Sequence, residues 1–411
     1  MGTSKHKPTI CVITQYFHPD FTGSAMRSSY AIQSLMKLGY KIKLVTGVPH
    51  YPDGNQRAIK ELTFYRRYYM KHLEVVRLWM PPISSKGSIG KFINYLYFML
   101  VSCIGGLVCG DYDVIFAASP NFFSNFTGLF LKLIKRKPLV VNINDLVPEA
   151  LTDLKLVESS KFIRLLQLVR NFTLNLSDRV VCISNSISEF LMSSGVHKNR
   201  LVTIEVGIDL SRIDDLSYAP DAQFDNSRLH IVYSGNLGMA YDFSYILQIA
   251  KESLRQGHRY NFTIRGRGSL ERVLHHKIEI MDLINVQVLS KHLTNTEYTA
   301  FMQSADIFIL PMKNNMISRT ALPSKLFDYL AFKRPILVIG EGEPADLVRN
   351  SGAGLAIKHD ELASALWFLN QMESDIHTRL HMGNLGREYV TKHFSLEIIG
   401  RKLDRLFQSH F

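Results

Sequence analysis

At 411 residues the chain is too long for one ordinary hydrophobic core and suits two domains of about 200 residues each. A composition of 46% hydrophobic and 20% charged residues is globular and excludes a large disordered tail. Lys and Arg number 48 against 36 Asp and Glu, a formal net charge of +12, so the expected partners are anionic: nucleic acid, acidic lipid headgroups or phosphorylated substrates.

Met1 to Pro8 is short, polar and basic and lacks the apolar core of a secretion signal, and Thr9 to Thr14 then reads directly as a first strand. The four cysteines, Cys11, Cys103, Cys109 and Cys182, lie scattered in apolar runs without metal-ligand spacing, which points to reduced, mostly buried thiols in a cytoplasmic protein. Between the first strand and a helix over Ser28 to Leu38 lies a loop, Gln15 to Arg27. Gly23 permits close backbone approach there, and the loop aims the helix amino terminus at whatever occupies the crevice. His18 and Asp20 in this loop suit a turn as well as a binding site.

From Lys91 to Gly110 the chain is nearly all apolar and approaches the length of a membrane span. Asn94, Ser102 and three glycines weaken a true span, so the first reading is a buried helix of an α/β layer and the second a helix with a membrane-contacting face. Strand-like runs of β-branched and aromatic residues alternate with helical patterns throughout. In the first half they fall at 9–14, 41–46, 73–79, 113–118, 138–143 and 179–183. In the second half they fall at 201–204, 229–234, 260–265, 285–289, 306–310 and 335–339. The break lies near Val206-Gly207-Ile208-Asp209, followed by a polar stretch from Ser211 to Arg228. The end of the chain, from about Leu385 to Phe411, reads as a helix with Tyr389, Val390, Phe394, Leu396, Ile399, Leu403, Leu406 and Phe407 in an apolar stripe.

Polar groups gather where these strands end. Asn142-Ile143-Asn144-Asp145-Leu146-Val147-Pro148-Glu149 sets two carboxylates at a strand end, where Asp145 reads either as an acceptor-orienting group or as the cap of a helix beginning near Pro148. Val232-Tyr233-Ser234-Gly235-Asn236-Leu237-Gly238 ends a strand in a glycine-rich turn, and Arg265-Gly266-Arg267-Gly268 does the same without the third glycine of a dinucleotide fingerprint. Thr320-Ala321-Leu322-Pro323-Ser324-Lys325-Leu326-Phe327-Asp328 carries the most information. Pro323 and Ser324 suit a helix start whose free N–H groups attract an anion, Lys325 adds a full charge beside them, and Asp328 falls one turn later on the same face. Asp111-Tyr112-Asp113 imitates a metal-binding Asp-x-Asp but precedes its strand, at the wrong end of a parallel sheet, and His275-His276 read as riders on an exposed helix.

Together these segments resemble the signatures of the family 4 glycosyltransferases, retaining enzymes that take a sugar from a nucleotide diphosphate, and within that family the bacterial enzymes that build surface polysaccharides. The chain departs from the pattern in places. Thr320 and Asp328 stand where many members carry two glutamates, Val147 stands for a common Trp in an Asp-Leu-Trp-Pro-Glu run, and Glu205-Val206 replaces the Asn of an Asn-Gly-Val-Asp linker. Asn236 and Tyr241-Asp242 do not supply the Arg and Lys found near the glycine turn of many relatives, so the compensating charge is expected from Arg265, Arg319 and Lys325.

The resemblance implies an α/β protein of the GT-B fold: two Rossmann-like, doubly wound parallel-sheet domains facing a cleft. Residues 1–206 would form the acceptor side, 207–384 the nucleotide-sugar side, and 385–411 a helix returning to the first domain. It implies Asp145, Arg265 and Lys325 as catalytic residues. Gly23, Ser24, Gly235, Asn236, Leu237, Gly266, Arg319, Thr320, Leu322, Pro323, Ser324, Leu326 and Asp328 would bind the donor. His18, Asp20, Arg27, Asn144 and Glu149 would bind the acceptor. The implied donor carries UDP ahead of GDP and a hexosyl or N-acetylhexosaminyl group, with no metal or cofactor. The implied acceptor is a polyprenyl-diphosphate-linked glycan at the inner face of the cytoplasmic membrane, in O-antigen, lipopolysaccharide, capsule or exopolysaccharide assembly. Two rival readings are a nucleotide-sugar 2-epimerase of the same double-lobed fold and a non-enzymatic protein that binds an anionic ligand. Nucleic acid is not expected, because aromatic and basic residues do not interleave and no RNA module is present.

Overall fold

The computed structural model describes residues 7–20, 23–50, 65–84, 88–118, 123–149, 159–214, 228–291 and 293–410. Phe21 and Thr22 of the first expected loop, and all but the ends of the expected polar stretch 211–228, lie outside them. The chain forms two compact units, residues 1–207 with 396–411, and residues 208–395.

The first unit is built on an eight-stranded sheet of β1 (Ile10–Ile13), β2 (Ile42–Gly47), β3 (Tyr65–Met70), β4 (Leu73–Leu78), β5 (Val114–Ala118), β6 (Leu139–Ile143), β7 (Arg179–Cys182) and β8 (Leu201–Thr203), in the order β3-β4-β2-β1-β5-β6-β7-β8. Every pairing is parallel except that of β3 with β4. Parallel strands are covered on both faces, and β1 and β5 are accordingly apolar and buried at every position. Chain direction reverses its walk across the sheet between β1 and β5, so the loops leaving their carboxyl ends open a crevice.

Helix Ser88–Val108 covers this sheet with one face only. Asn94, Phe98 and Ser102 are fully buried, while Phe92, Leu96, Leu100 and Ile104 face outward, so the helix is a core element on one side and exposed and apolar on the other. Its glycines permit the close fit: a Cβ on Gly105 would lie 2.7 Å from Val45, and one on Gly106 would lie 2.2 Å from Leu131. Among the described residues, Ile89–Val108 is the one helix long and apolar enough to cross a membrane.

The chain end is two helices rather than the single one expected from 385. Helix Ile376–Phe394 belongs to the second unit, where Phe394 packs on Phe327 at 4.9 Å between ring centroids; Ser395 is extended, and helix Leu396–His410 completes the first unit. The apolar stripe serves a different core on each side of that break. Ile399, Leu403, Leu406 and Phe407 join the cluster of Val12, Leu35, Tyr40 and Phe116, and the Tyr40 hydroxyl donates to Asp404 at 2.8 Å. Phe407 is 0% exposed, with its ring 6.0 Å from that of Phe116. Phe407→Ala is therefore expected to cost about 3–5 kcal/mol of stability, read as a lowered denaturation midpoint in urea.

The second unit holds β9 (Leu229–Ser234), β10 (Tyr260–Arg265), β11 (Val286–Leu289), β12 (Ile307–Pro311), β13 (Ile336–Ile339) and β14 (Gly354–Ile357), all parallel, in the order β11-β10-β9-β12-β13-β14. Its topological reversal falls between β9 and β12. Three features differ from the sequence reading. β3 is an edge strand of Tyr and Arg rather than an apolar run, and β14 is a four-residue strand opening on glycine, so neither gave a strand pattern. The 201–204 segment, grouped with the second half by chain order, pairs with β7 in the first sheet.

Candidate functional site

In the second unit, the loops after β9 and β10 are zipped together through their backbones. Gly235 N–H donates to Arg265 O, and Leu237 N–H donates to Arg267 O, both at 2.9 Å. Gly266 has φ +152°, and a Cβ there would lie 1.7 Å from Gly235 O, so only glycine fits at that contact. The β9 loop also meets the loop after β12, where Tyr241 bridges to Met312 and Lys313 N–H donates to Ala240 O at 3.1 Å.

Helix Ser324–Ala331 stands behind these loops, pinned by its own aromatic residues. The Tyr329 hydroxyl accepts from Ser234 N–H at 2.8 Å, its ring stacks on Phe308 at 4.3 Å, and Phe327 packs on Phe394. Pro323 is the N-cap and no side chain caps the helix; Leu326 N–H turns back to Pro323 O at 3.0 Å, which leaves the N–H groups ahead of it to a ligand or solvent. Lys325 in the first turn reaches Gly235 so closely that a Cβ on that glycine would sit 2.5 Å from its Nζ. Its ammonium donates to the Tyr233 hydroxyl at 2.5 Å and lies 4.4 and 3.7 Å from the Tyr233 and Tyr241 ring centroids. Among the described residues no carboxylate pairs with it, and desolvation holds its pKa well below the ordinary lysine value.

One turn on, Asp328 accepts from Arg212 at 2.8 Å and from the Tyr298 hydroxyl at 3.3 Å. Burial raises its pKa, against the pull of Arg212 and the Tyr298 hydrogen bond. Arg265 lies 5.3 Å over the Tyr298 ring; its Nε is buried without a hydrogen-bond partner, and burial lowers its pKa. The structure therefore brings Gly235, Asn236, Gly266, Arg265, Ser324, Lys325 and Asp328 to one place. Leu237, Leu322 and Leu326 are buried apolar side chains that shape the loops from beneath and can offer a ligand only backbone.

Two donor-side expectations differ. Arg319 donates to Asn314 at 2.7 Å and pairs with Glu341 at 2.9 Å, so its charge is already met by protein. The Thr320 hydroxyl donates back to Met316 and Ile317 carbonyls at 3.2 Å within its own short helix. Tyr233, Tyr241, Tyr298 and Arg212 were not singled out as site residues. Tyr233 stood inside a quoted motif, whereas Arg212 and Tyr298 carry no local signal and reach Asp328 only through the fold.

In the first unit, the loop after β1 is fixed by buried polar contacts. Thr14 and Ser28 hydroxyls meet at 3.1 Å, tying the strand end to helix Gly23–Lys37, in which Gly23 and Ser24 form the first turn. Asp20 accepts from His50 N–H at 3.1 Å, Arg77 holds the His18 carbonyl, and the His18 ring is exposed. His50 stacks on Tyr16 and contacts Gln15 at 3.0 Å; burial lowers its pKa to about 4, so it is a neutral prop at neutral pH. Asp20 is thus buried as the anchor of this loop.

Arg27, in the second turn of helix Gly23–Lys37, and Asp145, in the loop after β6, pair at 3.6 Å, and Asp145 remains 41% exposed. Asn144 beside it is buried. Glu149 departs from its expected acceptor role. Its two oxygens accept from Arg170 at 2.7 and 2.6 Å, Gln167 adds a third hydrogen bond at 3.1 Å, and both Glu149 and Arg170 are buried. This is a structural ion pair, and removing one partner strands the other charge. Glu149→Ala is expected to cost about 3–5 kcal/mol, with activity lost only in step with folded protein in a thermal melt. Asp113 accepts from Thr9 N–H at 2.8 Å at the amino end of β5, a structural contact, and His275 and His276 are exposed on helix Glu271–Ile280.

Comparison with known proteins covers both units. Residues 23–212 match the model of Glycosyltransferase Family 4, and residues 217–389 match that of Glycosyl transferases group 1. The chain is 22% identical over 236 residues, 56% of its length, to WcaL of Escherichia coli (strain K12), a candidate colanic acid biosynthesis glycosyltransferase, and the match spans 57% of that curated relative. Similar solved structures include Anabaena HepE in complex with UDP and glucose, with a TM-score of 0.69, 14% identity, and coverage of 98% of this chain and 100% of that one. Sucrose-phosphate synthase from Thermosynechococcus elongatus has a TM-score of 0.72 and 14% identity, with 98% of each chain covered. At such identities the structures show a shared fold.

Proposed function

The chain belongs to glycosyltransferase family 4, and on that premise we propose that it transfers a hexosyl or N-acetylhexosaminyl group from a nucleoside-diphosphate sugar to a glycan acceptor, with retention of configuration. One observation carries the reading: Lys325 and Arg265, two cations without carboxylate partners among the described residues, stand beside glycine-shaped loops and an uncapped helix start in the second unit. Breaking the bond between sugar and phosphate builds negative charge on the leaving diphosphate, and preorganised donors aimed at that charge lower the barrier. Lys325, Arg265 and the N–H groups after Pro323 would supply them, so we assign no metal or cofactor to the step. Asp328, held by Arg212 and Tyr298, keeps lone pairs for the nucleotide ribose.

The acceptor is assigned to the first unit, where Asp145 beside Arg27 would orient the attacking hydroxyl and take up its proton. Attack from the face of the leaving group through an oxocarbenium-like state accounts for retention without a covalent nucleophile. We take the nucleotide to be UDP, because Anabaena HepE was solved with it, and the acceptor to be a polyprenyl-diphosphate-linked glycan at the inner membrane face, in surface-polysaccharide assembly, the field named for WcaL.

A thermal-shift screen of nucleotide sugars tests the donor. At a hundredfold excess over Kd, a true donor stabilises by about 2.7 kcal/mol. The expected result is a shift with UDP-sugars that exceeds the shift with GDP-sugars; no shift with any nucleotide sugar would overturn the reading.

A further inference from the structure

We propose that the outer faces of three helices in the first unit, Ser88–Val108, Ser124–Lys135 and Ser160–Leu176, form one surface that docks flat onto the anionic leaflet of a lipid bilayer. The helices are the crossovers from β4 to β5, β5 to β6 and β6 to β7. Right-handed crossovers between parallel strands running in one direction across the sheet lay their helices side by side on one face. Contacts confirm the layer: Gly106 abuts Leu131, and Lys132 donates to the Leu176 carbonyl at 3.0 Å.

The inner faces close the core, whereas the outer faces carry apolar side chains that no described residue covers. Phe92, Leu96, Leu100 and Ile104 recur on one stripe of the first helix. Leu133, 76% exposed, and Ile134 continue it on the second, and Leu165, Leu168 and Phe172, the last 65% exposed, on the third. A patch running over three elements exceeds the scattered apolar residues of an ordinary surface. Because Asn94, Phe98 and Ser102 are fixed in the fold, the first helix cannot leave it to span a bilayer and is suited to lying in the interface.

Charge chooses the occupant. The three helices contain no Asp or Glu, and Lys135, Lys161 and Arg164 punctuate the apolar stripe, whereas Lys132 is held by Asp178 at 2.7 Å. Basic side chains on an apolar face carry their stems along it and their charges to phosphate headgroups. A second copy of this chain would bring the same positive face and repel it.

This surface goes beyond the transfer reading and stands without it. The test is co-flotation of the full chain with phosphatidylcholine vesicles with and without phosphatidylglycerol, at low and high salt. Binding is expected only to the anionic vesicles and to weaken in high salt. Leu133→Glu with Leu168→Glu, both at exposed positions, should reduce vesicle partitioning about tenfold or more while thermal melts and transfer to a lipid-free acceptor stay unchanged. Lys161→Glu with Arg164→Glu should weaken binding without touching the apolar stripe. Failure of the wild type to float with anionic vesicles at low salt, or undiminished flotation of both variants, would overturn the proposal. So would a wild-type dimer that the Leu variants convert to monomer without any effect of vesicles. Loss of transfer alone, with flotation intact, would instead count against the transfer reading.

Discussion

Lys325→Ala is expected to lower turnover about 10²-fold or more, comparable to losing one transition-state donor, while the protein stays folded. Folding should survive because the lysine is a desolvated cation without a carboxylate partner among the described residues, and the Tyr233 hydroxyl keeps its own hydrogen bond to Asn236 O at 2.6 Å after truncation. The pH dependence has a definite sign. Lys325 has a folded-state pKa below its unfolded value, so its charged form costs stability at pH below the folded pKa, and that cost is relieved as pH rises through it. Donor binding has the opposite preference, because a diphosphate favours the ammonium. Affinity should therefore fall as pH rises through the depressed pKa, with proton uptake on binding in that window. Turnover and a thermal melt on the same preparation check the substitution, and wild-type turnover in a folded variant would remove Lys325 from the mechanism.

Asp145→Asn should separate binding from chemistry. The donor groups named above belong to the second unit and Asp145 to the first, so nucleotide affinity should hold while transfer falls about 10²-fold or more, the range of a lost general base. Among the described residues the Asp145 carboxylate pairs with Arg27 rather than capping a following N–H, and Asn keeps its size but not its charge. A merely structural Asp145 would tolerate Asn well. Donor affinity by calorimetry beside the initial transfer rate decides between them; unchanged transfer would return Asp145 to a structural role.

The parallel sheets were legible because strands covered on both faces must be continuous apolar runs, as Ile10–Ile13 and Ile336–Ile339 are. β3 was not, because an edge strand exposes Tyr68 and Tyr69 and pairs on one side only. At the site, the residues that bend or charge the backbone locally were readable: Gly235, Gly266 and Lys325 each leave a local mark. Arg212 and Tyr298 were not, because their meaning is a contact with a residue 116 and 30 positions away. Glu149 shows the converse. It sits in a motif-like run, and only the fold reveals that Arg170 has claimed both of its oxygens.

In this mechanism the second unit's cations serve a leaving nucleotide while the first unit supplies an acceptor. Incubating the protein with labelled UDP-sugars, with and without a lipid extract from a polysaccharide-producing bacterium, separates this mechanism from its rivals. Label is expected in the lipid phase, with free UDP, only when donor and extract are both present, and both should fall about 10²-fold or more in Lys325→Ala. Donor converted to an epimer without any acceptor, or no donor consumed under either condition, would contradict it.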